Sequence, residues 1–568
     1  MAIKRLKLAC DFETTVIPED LRVWASCAVD IDTLETLHKG TSIEEFFEFL
    51  KDKNTVCYFH NEKFDGEFVV SWLLLNGFKY SHSKEDKTFS VLISDVGQWY
   101  SITVIFEKKN KTYKKAVMYD SLKKLPFKVS RIAKAFNLPI AKGEIDYKMH
   151  RPKGYQPTAH EWDYIETDCK IVASALKIQF EQGLKKMTVG SDALKGFKTV
   201  ISDRQFDYMF PVLPLELDTD IRRAYKGGFV YLNPKHKNAR GLQGKAYDVN
   251  SLYPWVMYEC VLPYGYPMYF EGEPNPDELY NLFIVRLECA FDLKPNHLPT
   301  IQLKNNRAFV ETEYLTTSNG DIVEMTLTSV DLALFLEHYD VSCLTYKNGW
   351  KFKGKAGIFK EYIDYWMYIK ETTTGALRQL AKLMLNSLYG KFATNPKSAS
   401  KIPILDENGV VHYVINNKKN RELYNLHHIP EDEDRDPVYT AMGCFITAYA
   451  RDKTIRSGQT LYDRFIYADT DSLKLVGIEE PETLDVHPTK LGCWKDEGTF
   501  TDSKWIRAKT YMTTTEDGTS VTCAGMPDNI KAQVTYENFC SGSTFNGKLV
   551  PKRYKGGVIL TETTFTIK

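Results

Sequence analysis

Three short acidic elements follow one another in the first third of the chain. Asp11-Phe12-Glu13-Thr14 ends an apolar stretch that begins at Leu6. Phe59-His60-Asn61-Glu62-Lys63-Phe64-Asp65 comes next, and Tyr164-Ile165-Glu166-Thr167-Asp168 completes the set. On a strand, residues two apart face one side, so Asp11 and Glu13 aim at one spot. On a helix, residues four apart share a face, as Tyr164 and Asp168 do. Two carboxylates ~4 Å apart repel by about 4 kcal/mol at an effective dielectric of ~20. Gathering Asp11, Glu13, Asp65 and Asp168 therefore requires bound cations or shared protons, and hard oxygen ligands select Mg2+ or Mn2+. Two such ions clamp the attacking and leaving oxygens of a phosphodiester, with Tyr164 orienting the attacking water. One D-x-E is commonplace; three spaced elements in order form a much more specific pattern. His60 and Asn61 read either as a turn hydrogen-bond network or, with Thr14 and Phe64, as a grip on a frayed single-stranded 3′ end.

A second set lies further on. Tyr247-Asp248-Val249-Asn250-Ser251-Leu252-Tyr253-Pro254 follows a strand, with Asp248 the metal-ligand candidate. The turn after it presents backbone N–H groups and Ser251 to a triphosphate. Tyr253 is either a core tyrosine or a ring that would clash with a ribose 2′-hydroxyl and so select deoxyribose. Phe465-Ile466-Tyr467-Ala468-Asp469-Thr470-Asp471-Ser472-Leu473 reads as a hairpin with Asp469 and Asp471 at its tip. Neither has a basic neighbour in sequence, which favours a metal shared with Asp248 over a salt bridge. Between these, Arg378, Lys382 and Asn386 recur every four residues on a Leu-rich helix that ends in Tyr389-Gly390. That ridge is either a solvated face or a triphosphate grip, with Tyr389-Gly390 admitting a base pair. Lys509-Thr510-Tyr511 would place a cation and an aromatic on one strand face, suited to a primer's terminal phosphate and sugar. Tyr225-Lys226-Gly227-Gly228 is a loop or a flexible turn near a domain boundary.

The elements that must position these residues are legible in outline. Residues 158–186 have the pattern of one long helix capped by Thr158, with Trp162, Ile165, Ile171, Val172, Leu176 and Phe180 inward. A second helix covers 44–50. Pro211 to Pro214 breaks the chain, and the first domain boundary falls shortly before it. Residues 260–357 and 394–440 look like insertions; the charged runs of the second, Asn416–Arg421 and Glu431–Asp434, read as solvated loop. The length, 568 residues, implies three or four compact units at ~150 residues each. Lys plus Arg equals Asp plus Glu at 74 each, so net charge does not advertise a polyanionic partner but leaves room for a local basic channel. No apolar run approaches the ~20 residues of a membrane span, and the N-terminus lacks a signal-peptide h-region. The 11 scattered cysteines contain no C-x-x-C pair, which favours buried thiols over a zinc site or disulfide framework.

Taken together, these motifs resemble those of the protein-primed family B DNA polymerases of phi-29-like phages. The resemblance runs through all three exonuclease elements, D-x-x-S-L-Y-P at Asp248, K-x-x-x-N-S-x-Y-G at Lys382, Y-x-D-T-D-S at Tyr467 and K-x-Y at Lys509. Ser121-Leu122 and Lys142-Gly143-Glu144-Ile145 look like extra exonuclease-domain motifs of that family, and Tyr225–Gly228 like its Y-x-G-G linker. Arg378 stands where the family usually has lysine, and Ala468 where it often has cysteine. The resemblance implies a multidomain α/β (α+β) architecture: an RNase-H-like 3′→5′ exonuclease domain over 1–189 followed by a polymerase domain. The latter would comprise palm (190–259 and 441–523), fingers (358–393), thumb (524–568) and two terminal-protein regions (260–357 and 394–440). It adds the backbone of Val249 to the metal ligands and Lys370 to the nucleotide-binding set. For DNA binding it adds Phe68, Ser121, Leu122, Lys142, Tyr225, Gly227 and Gly228 to the 3′-end grip, Lys509 and Tyr511. The implied cofactor is Mg2+, two ions per site, with Mn2+ able to substitute. The implied partners are template-primer DNA, a single-stranded 3′ end, deoxynucleoside triphosphates and a phage terminal protein as primer. The implied setting is the cytoplasm of an infected bacterial host.

Overall fold

The computed structural model describes residues 5–110, 112–302 and 314–568. The N-terminal part is built on an eight-stranded sheet in which Leu6–Thr14 lies between the antiparallel strand Val23–Asp30 and the parallel strand Thr55–Phe59. Thr55–Phe59 in turn runs parallel to Thr112–Asp120, with Phe59 opposite Asp120. The carboxyl ends of three strands therefore meet at one edge, the place where sheets of this kind bind ligands. The helix Ala159–Glu181 covers one face. It starts where the Thr158 side chain accepts from the Glu161 N–H and the Glu161 carboxylate accepts from the Thr158 N–H, a reciprocal cap. It ends five residues before the expected 186, because Gly183 turns the chain at φ 78°. The helix Ile43–Leu50, capped by Ser42, backs the sheet edge.

A five-stranded sheet carries the second acidic set, in the order Trp494–Phe500, Gly244–Val249, Ser472–Val476, Phe465–Asp469, Val230–Leu232. The almost wholly buried helix Thr440–Thr460 and the short helix Leu252–Glu259 lie behind it. Two antiparallel helices, Lys360–Thr372 and Gly375–Phe392, stand beside it, joined by a turn in which Gly375 takes φ 57°. The strands Leu262–Glu271, Tyr339–Lys355, Leu282–Leu293 and Val323–Thr328, in that order, form a four-stranded sheet that carries the helix Ser329–His338.

The charge runs of the second insertion are largely exposed, as their composition suggests, but the insertion around them is ordered and has a buried side. The hairpin Lys401–Leu405/Val411–Ile415 buries Ile402 and Val411 in the core of the N-terminal sheet, together with Ile429. Asn416 is buried, and Asn417 caps a helix over Lys418–Leu423. In the acidic run, Asp432 accepts from the Ser400 N–H and hydroxyl, Asp434 accepts from the Ser398 N–H, and Glu431 pairs with Arg421. These charges staple the insertion's base, which sequence periodicity cannot reveal. At the C-terminus, the three-stranded sheet Asp502–Cys523 shares a core with the hairpin Thr544–Tyr554/Gly557–Thr566 through Ile506, Met512, Phe545 and Phe565. The cysteines of the described residues are all free, and most are buried.

Candidate active sites

At the carboxyl edge of the large sheet, one cavity of about 880 Å³ is lined by Asp11, Glu13, Asp65 and Asp168. Thr14, His60, Asn61, Phe64, Lys142 and Tyr164 share that lining. Burial, and next the Asp168 charge, push the Asp11 carboxyl up to about 7. Glu13 and Asp65 are raised well above the carboxylate range, first by burial and then by the neighbouring carboxylates. Burial also raises Asp168, against the pull of Lys142, whose ammonium pairs with Asp168 Oδ2. The mutual repulsion expected from the sequence is thus present. Tyr164 donates or accepts a 2.5 Å hydrogen bond with Tyr147, a residue the sequence reading missed although it follows the Lys142–Ile145 motif closely.

Three residues expected to touch a nucleic acid here, Phe68, Ser121 and Leu122, do not line the cavity, and His60, which does, has both ring nitrogens engaged. His60 spends both ring nitrogens within the protein, Nδ1 on the Ser121 hydroxyl at 2.9 Å and Nε2 on the Phe127 carbonyl at 2.7 Å. Ser121 is fully buried, and Leu122 lies in a short 3-10 turn capped by Asp120. His60, through Ser121, and Asn61, whose N–H donates to Asp120 Oδ1 at 3.0 Å, take part in the turn network that was the alternative reading for that pair. Phe68, only 1% exposed, packs under Gly557 of the C-terminal hairpin, and its neighbour Phe64 takes the cavity position.

In the second set, backbone geometry brings Asp248 to Asp471. Asp248 pairs with Ser472 across the sheet, and the Val249 N–H donates to the Asp471 carbonyl at 2.7 Å. Burial, then Asp471, then Glu497 raise the Asp248 carboxyl to about 7. Asp471 is raised by burial in the first place, with Asp469 adding to it. Asp469 departs from expectation: both its oxygens accept from the Lys509 ammonium, at 2.9 and 2.7 Å. The salt bridge set aside for want of a sequence neighbour arrives from 40 residues away. Lys509 is also not on the strand face with Tyr511; it precedes the strand Thr510–Thr515 at φ 55°, which turns it back to Asp469. Tyr511 packs on Trp505 and Tyr467. Two charged residues missed by the sequence reading stand close by: Glu497, at a bulge in the neighbouring strand, and Lys474, opposite Ala246 on the face that carries Asp248.

A cationic group is bonded to the turn that follows Asp248. Lys370 donates to the Ser251 hydroxyl at 2.9 Å, and Arg378 donates to the Lys370 carbonyl at 2.5 Å. Burial, then Lys382 and Arg378, push the Lys370 ammonium below its ordinary range. Like charges crowded in this way call for an anion as strongly as crowded carboxylates call for a cation. Lys382 and Asn386 are exposed on the same helix. Tyr253 stacks on Tyr389 at 4.0 Å, with the open Gly390 beside it. Gly228 sits where a Cβ would strike Thr470 at 2.5 Å, so the Tyr225–Gly228 segment abuts the Asp469–Asp471 tip directly; Gly227 is exposed.

Among the described residues, no three His, Cys, Asp or Glu side chains close on one point tightly enough to hold a metal unaided. The donors nevertheless fit hard cations. Asp65 Oδ1, Asp168 Oδ1 and Asp248 Oδ1 are all buried without a hydrogen-bond partner, an arrangement that costs free energy unless a cation completes it. Four carboxylates line the α/β cavity, and a second carboxylate pair stands on an open sheet whose following turn is bonded to a cation cluster, an arrangement of the kind a nucleic-acid polymerase with a nuclease site needs. The family model for DNA polymerase type B, organellar and viral, matches residues 48–488. The DNA polymerase of Bacillus phage phi29 is 47% identical over 584 residues, 99% of each chain. Two solved structures of the phi29 DNA polymerase, one complexed with single-stranded DNA and one with primer-template DNA and incoming nucleotide substrates, each superpose with TM-score 0.92. Both share 46% identity and cover the whole of both chains. The chain belongs to this family of type B DNA polymerases and is a DNA-directed DNA polymerase of the protein-primed type. A 3′→5′ exonuclease and strand displacement accord with that membership, as does metal dependence. Among the described residues, no helix is long and apolar enough to cross a membrane.

Proposed function

We propose that the open sheet is the synthesis site, with Asp248 and Asp471 as its metal-holding carboxylates, and that the 880 Å³ cavity is the editing site. The observation that carries this reading is the Lys370–Ser251 hydrogen bond at 2.9 Å, which ties the crowded cations Lys370, Arg378 and Lys382 of the paired helices to the turn that follows Asp248, itself bonded through Val249 to Asp471. Asp248 and Asp471 would hold divalent ions, in our reading two Mg2+ with Mn2+ able to substitute, which when bound would supply the charge that stabilises attacking and leaving oxygens. Asp248, Asp471 and the Val249 backbone hold that charge in place. Lys370, Arg378, Lys382 and Ser251 take the triphosphate and orient its α-phosphate toward the primer hydroxyl. The Tyr253 ring, fixed by Tyr389, closes the sugar position against a 2′-hydroxyl. Asp469 orients Lys509 instead of binding a metal.

In the editing cavity, Asp11, Glu13, Asp65 and Asp168 would hold the metals. Tyr164, positioned by Tyr147, orients water, while Thr14, Asn61 and Phe64 grip the single-stranded 3′ end. DNA, with its template-primer duplex, and deoxynucleoside triphosphates are the substrates, in keeping with the phi29 polymerase complexes. At initiation a hydroxyl of a phage terminal protein replaces the primer 3′-hydroxyl, and the two insertions are the surfaces that receive it. Residues 1–189 form the exonuclease domain in this reading, and the protein works in the cytoplasm of the infected host. The test is a primed single-stranded circle supplied with Mg2+ and deoxynucleotides. Products longer than one lap are expected, showing synthesis and displacement together; absence of any product overturns the synthesis reading.

A further inference from the structure

The helix Glu62–Leu75 presents two faces to two different tasks. Its first turn sends Phe64 and Asp65 into the cavity, and Asn61 caps it at φ 70°. The adjoining face, Glu67, Phe68 and Ser71, meets the tip of the C-terminal hairpin nearly 490 residues later in the chain. Glu67, 3% exposed, accepts from Arg553 Nε at 3.0 Å on each oxygen and from Nη2 at 2.7 Å. The Ser71 hydroxyl accepts from the Gly556 N–H at 3.1 Å. Gly557 lies so close to Phe68 that a Cβ would stand 2.5 Å from its ring. A third part of the chain completes the junction. Tyr413 of the second insertion places its ring 4.7 Å under the Arg553 guanidinium, and its own hydroxyl is buried without a partner.

What this junction holds is a wall. Leu549, Val558, Ile559 and Leu560 of the hairpin line the acidic cavity, and Leu549 and Leu560 stay about half exposed there. An isolated two-stranded hairpin is at best marginally stable in water. This one packs on the three-stranded sheet at its far end, around Phe545 and Phe565, and near its tip buries Val558 and Ile559 against the core of the N-terminal sheet. Its tip is fixed by what it touches on the helix and the insertion.

We propose that the Glu67–Arg553 ion pair, seated on Tyr413, is a latch that positions the hairpin as the wall against which a single-stranded 3′ end is gripped. Glu67 and Arg553 are positioning residues and touch no reacting atom. The latch rests on the reading of the cavity as the editing site. Because its carboxylate follows Asp65 by two residues on one helix, the latch also ties hairpin placement to a metal-holding carboxylate. Charged, bidentate and largely buried on the Glu67 side, it has one geometry, and a neutral amide cannot reproduce it.

The test is degradation of a labelled single-stranded oligonucleotide in Mg2+, followed over oligonucleotide concentration, for the unaltered protein and for Arg553→Gln, Glu67→Gln, Arg553→Lys and Asp65→Ala. Thermal melting confirms that each variant is folded. The expected result for Arg553→Gln and Glu67→Gln is a rise of about tenfold in the half-saturating concentration with a maximal rate changed less than about twofold. Arg553→Lys, which keeps a cation over Tyr413, should recover part of that loss. Unchanged half-saturation in both Gln variants, or an equal loss with Arg553→Lys, overturns the latch while the cavity's role stands. Failure of the unaltered protein to degrade the oligonucleotide, or undiminished activity in Asp65→Ala, overturns the editing reading and the latch with it.

Discussion

The two acidic sites solve one electrostatic problem in different ways. In the enclosed cavity four carboxylates crowd together, and the one cation paired with them is Lys142 on Asp168. On the open sheet the third carboxylate, Asp469, is neutralised by Lys509, and Lys474 lies on the face that carries Asp248. The open-sheet site thus brings part of its positive charge as side chains and is joined through Ser251 to a further cation cluster. The cavity, on the proposed reading, would leave nearly all compensation to bound ions. The comparison teaches that the number of acidic residues in a motif does not count metal ligands: a carboxylate with a bidentate ammonium partner is already satisfied.

The sharpest way to break the comparison is to neutralise one carboxylate on each side. Asp471→Asn should lower primer extension by at least ~1000-fold while degradation of single strands stays within about twofold. Asp11→Ala combined with Asp65→Ala should do the reverse, with a comparable loss of degradation and intact extension. Both are read by parallel extension and degradation assays, and loss of both activities in either variant would contradict two separate sites. A smaller effect is expected from Tyr253→Val, which removes the ring stacked on Tyr389. Deoxynucleotide insertion should fall modestly, and the preference over ribonucleotides by roughly 10–100-fold, measured by competing kcat/KM values. Asp469→Asn should cost less than Asp471→Asn, about tenfold in extension, because it frees Lys509 and removes no ligand; equal losses would make Asp469 a ligand after all.

The smallest expected effect is in stability. The Asp11 and Asp248 carboxyls titrate near 7 in the folded chain and near 4 when unfolded. A raised folded value means the native state binds more protons between those limits, so metal-free stability falls as pH rises from about 4 to 7. Added Mg2+ should offset that fall at pH 7 to 8 and do little at pH 5. Melting curves across pH with and without Mg2+ measure this, and a metal effect independent of pH would contradict it.

Much of this was legible in the sequence because it is local. The period-two placement of Asp11 and Glu13, the four-residue spacing of Tyr164 and Asp168, the reciprocal cap at Thr158 and the hairpin around Asp469–Asp471 all follow from nearest-neighbour geometry. What escaped is non-local or depends on backbone strain. Lys509 reaches Asp469 only because it adopts φ 55°, and Asn61, Ser251 and Thr470 take similar left-handed conformations beside the carboxylates. The burial of His60, Ser121 and Phe68 depends on the Phe127 carbonyl and on Gly557, far along the chain. The acidic run 431–434 faces solvent as its composition suggests, yet Glu431, Asp432 and Asp434 also bind Arg421, Ser400 and Ser398. Motif spacing picked out carboxylates that the fold brings together; it did not say which members already had partners.

The most direct measurement is anomalous diffraction from crystals of the protein soaked in Mn2+. Two separate groups of peaks are expected, one within the cavity of Asp11, Glu13, Asp65 and Asp168 and one between Asp248 and Asp471, with none on Asp469. Peaks confined to one site, or absent from both, would contradict the account.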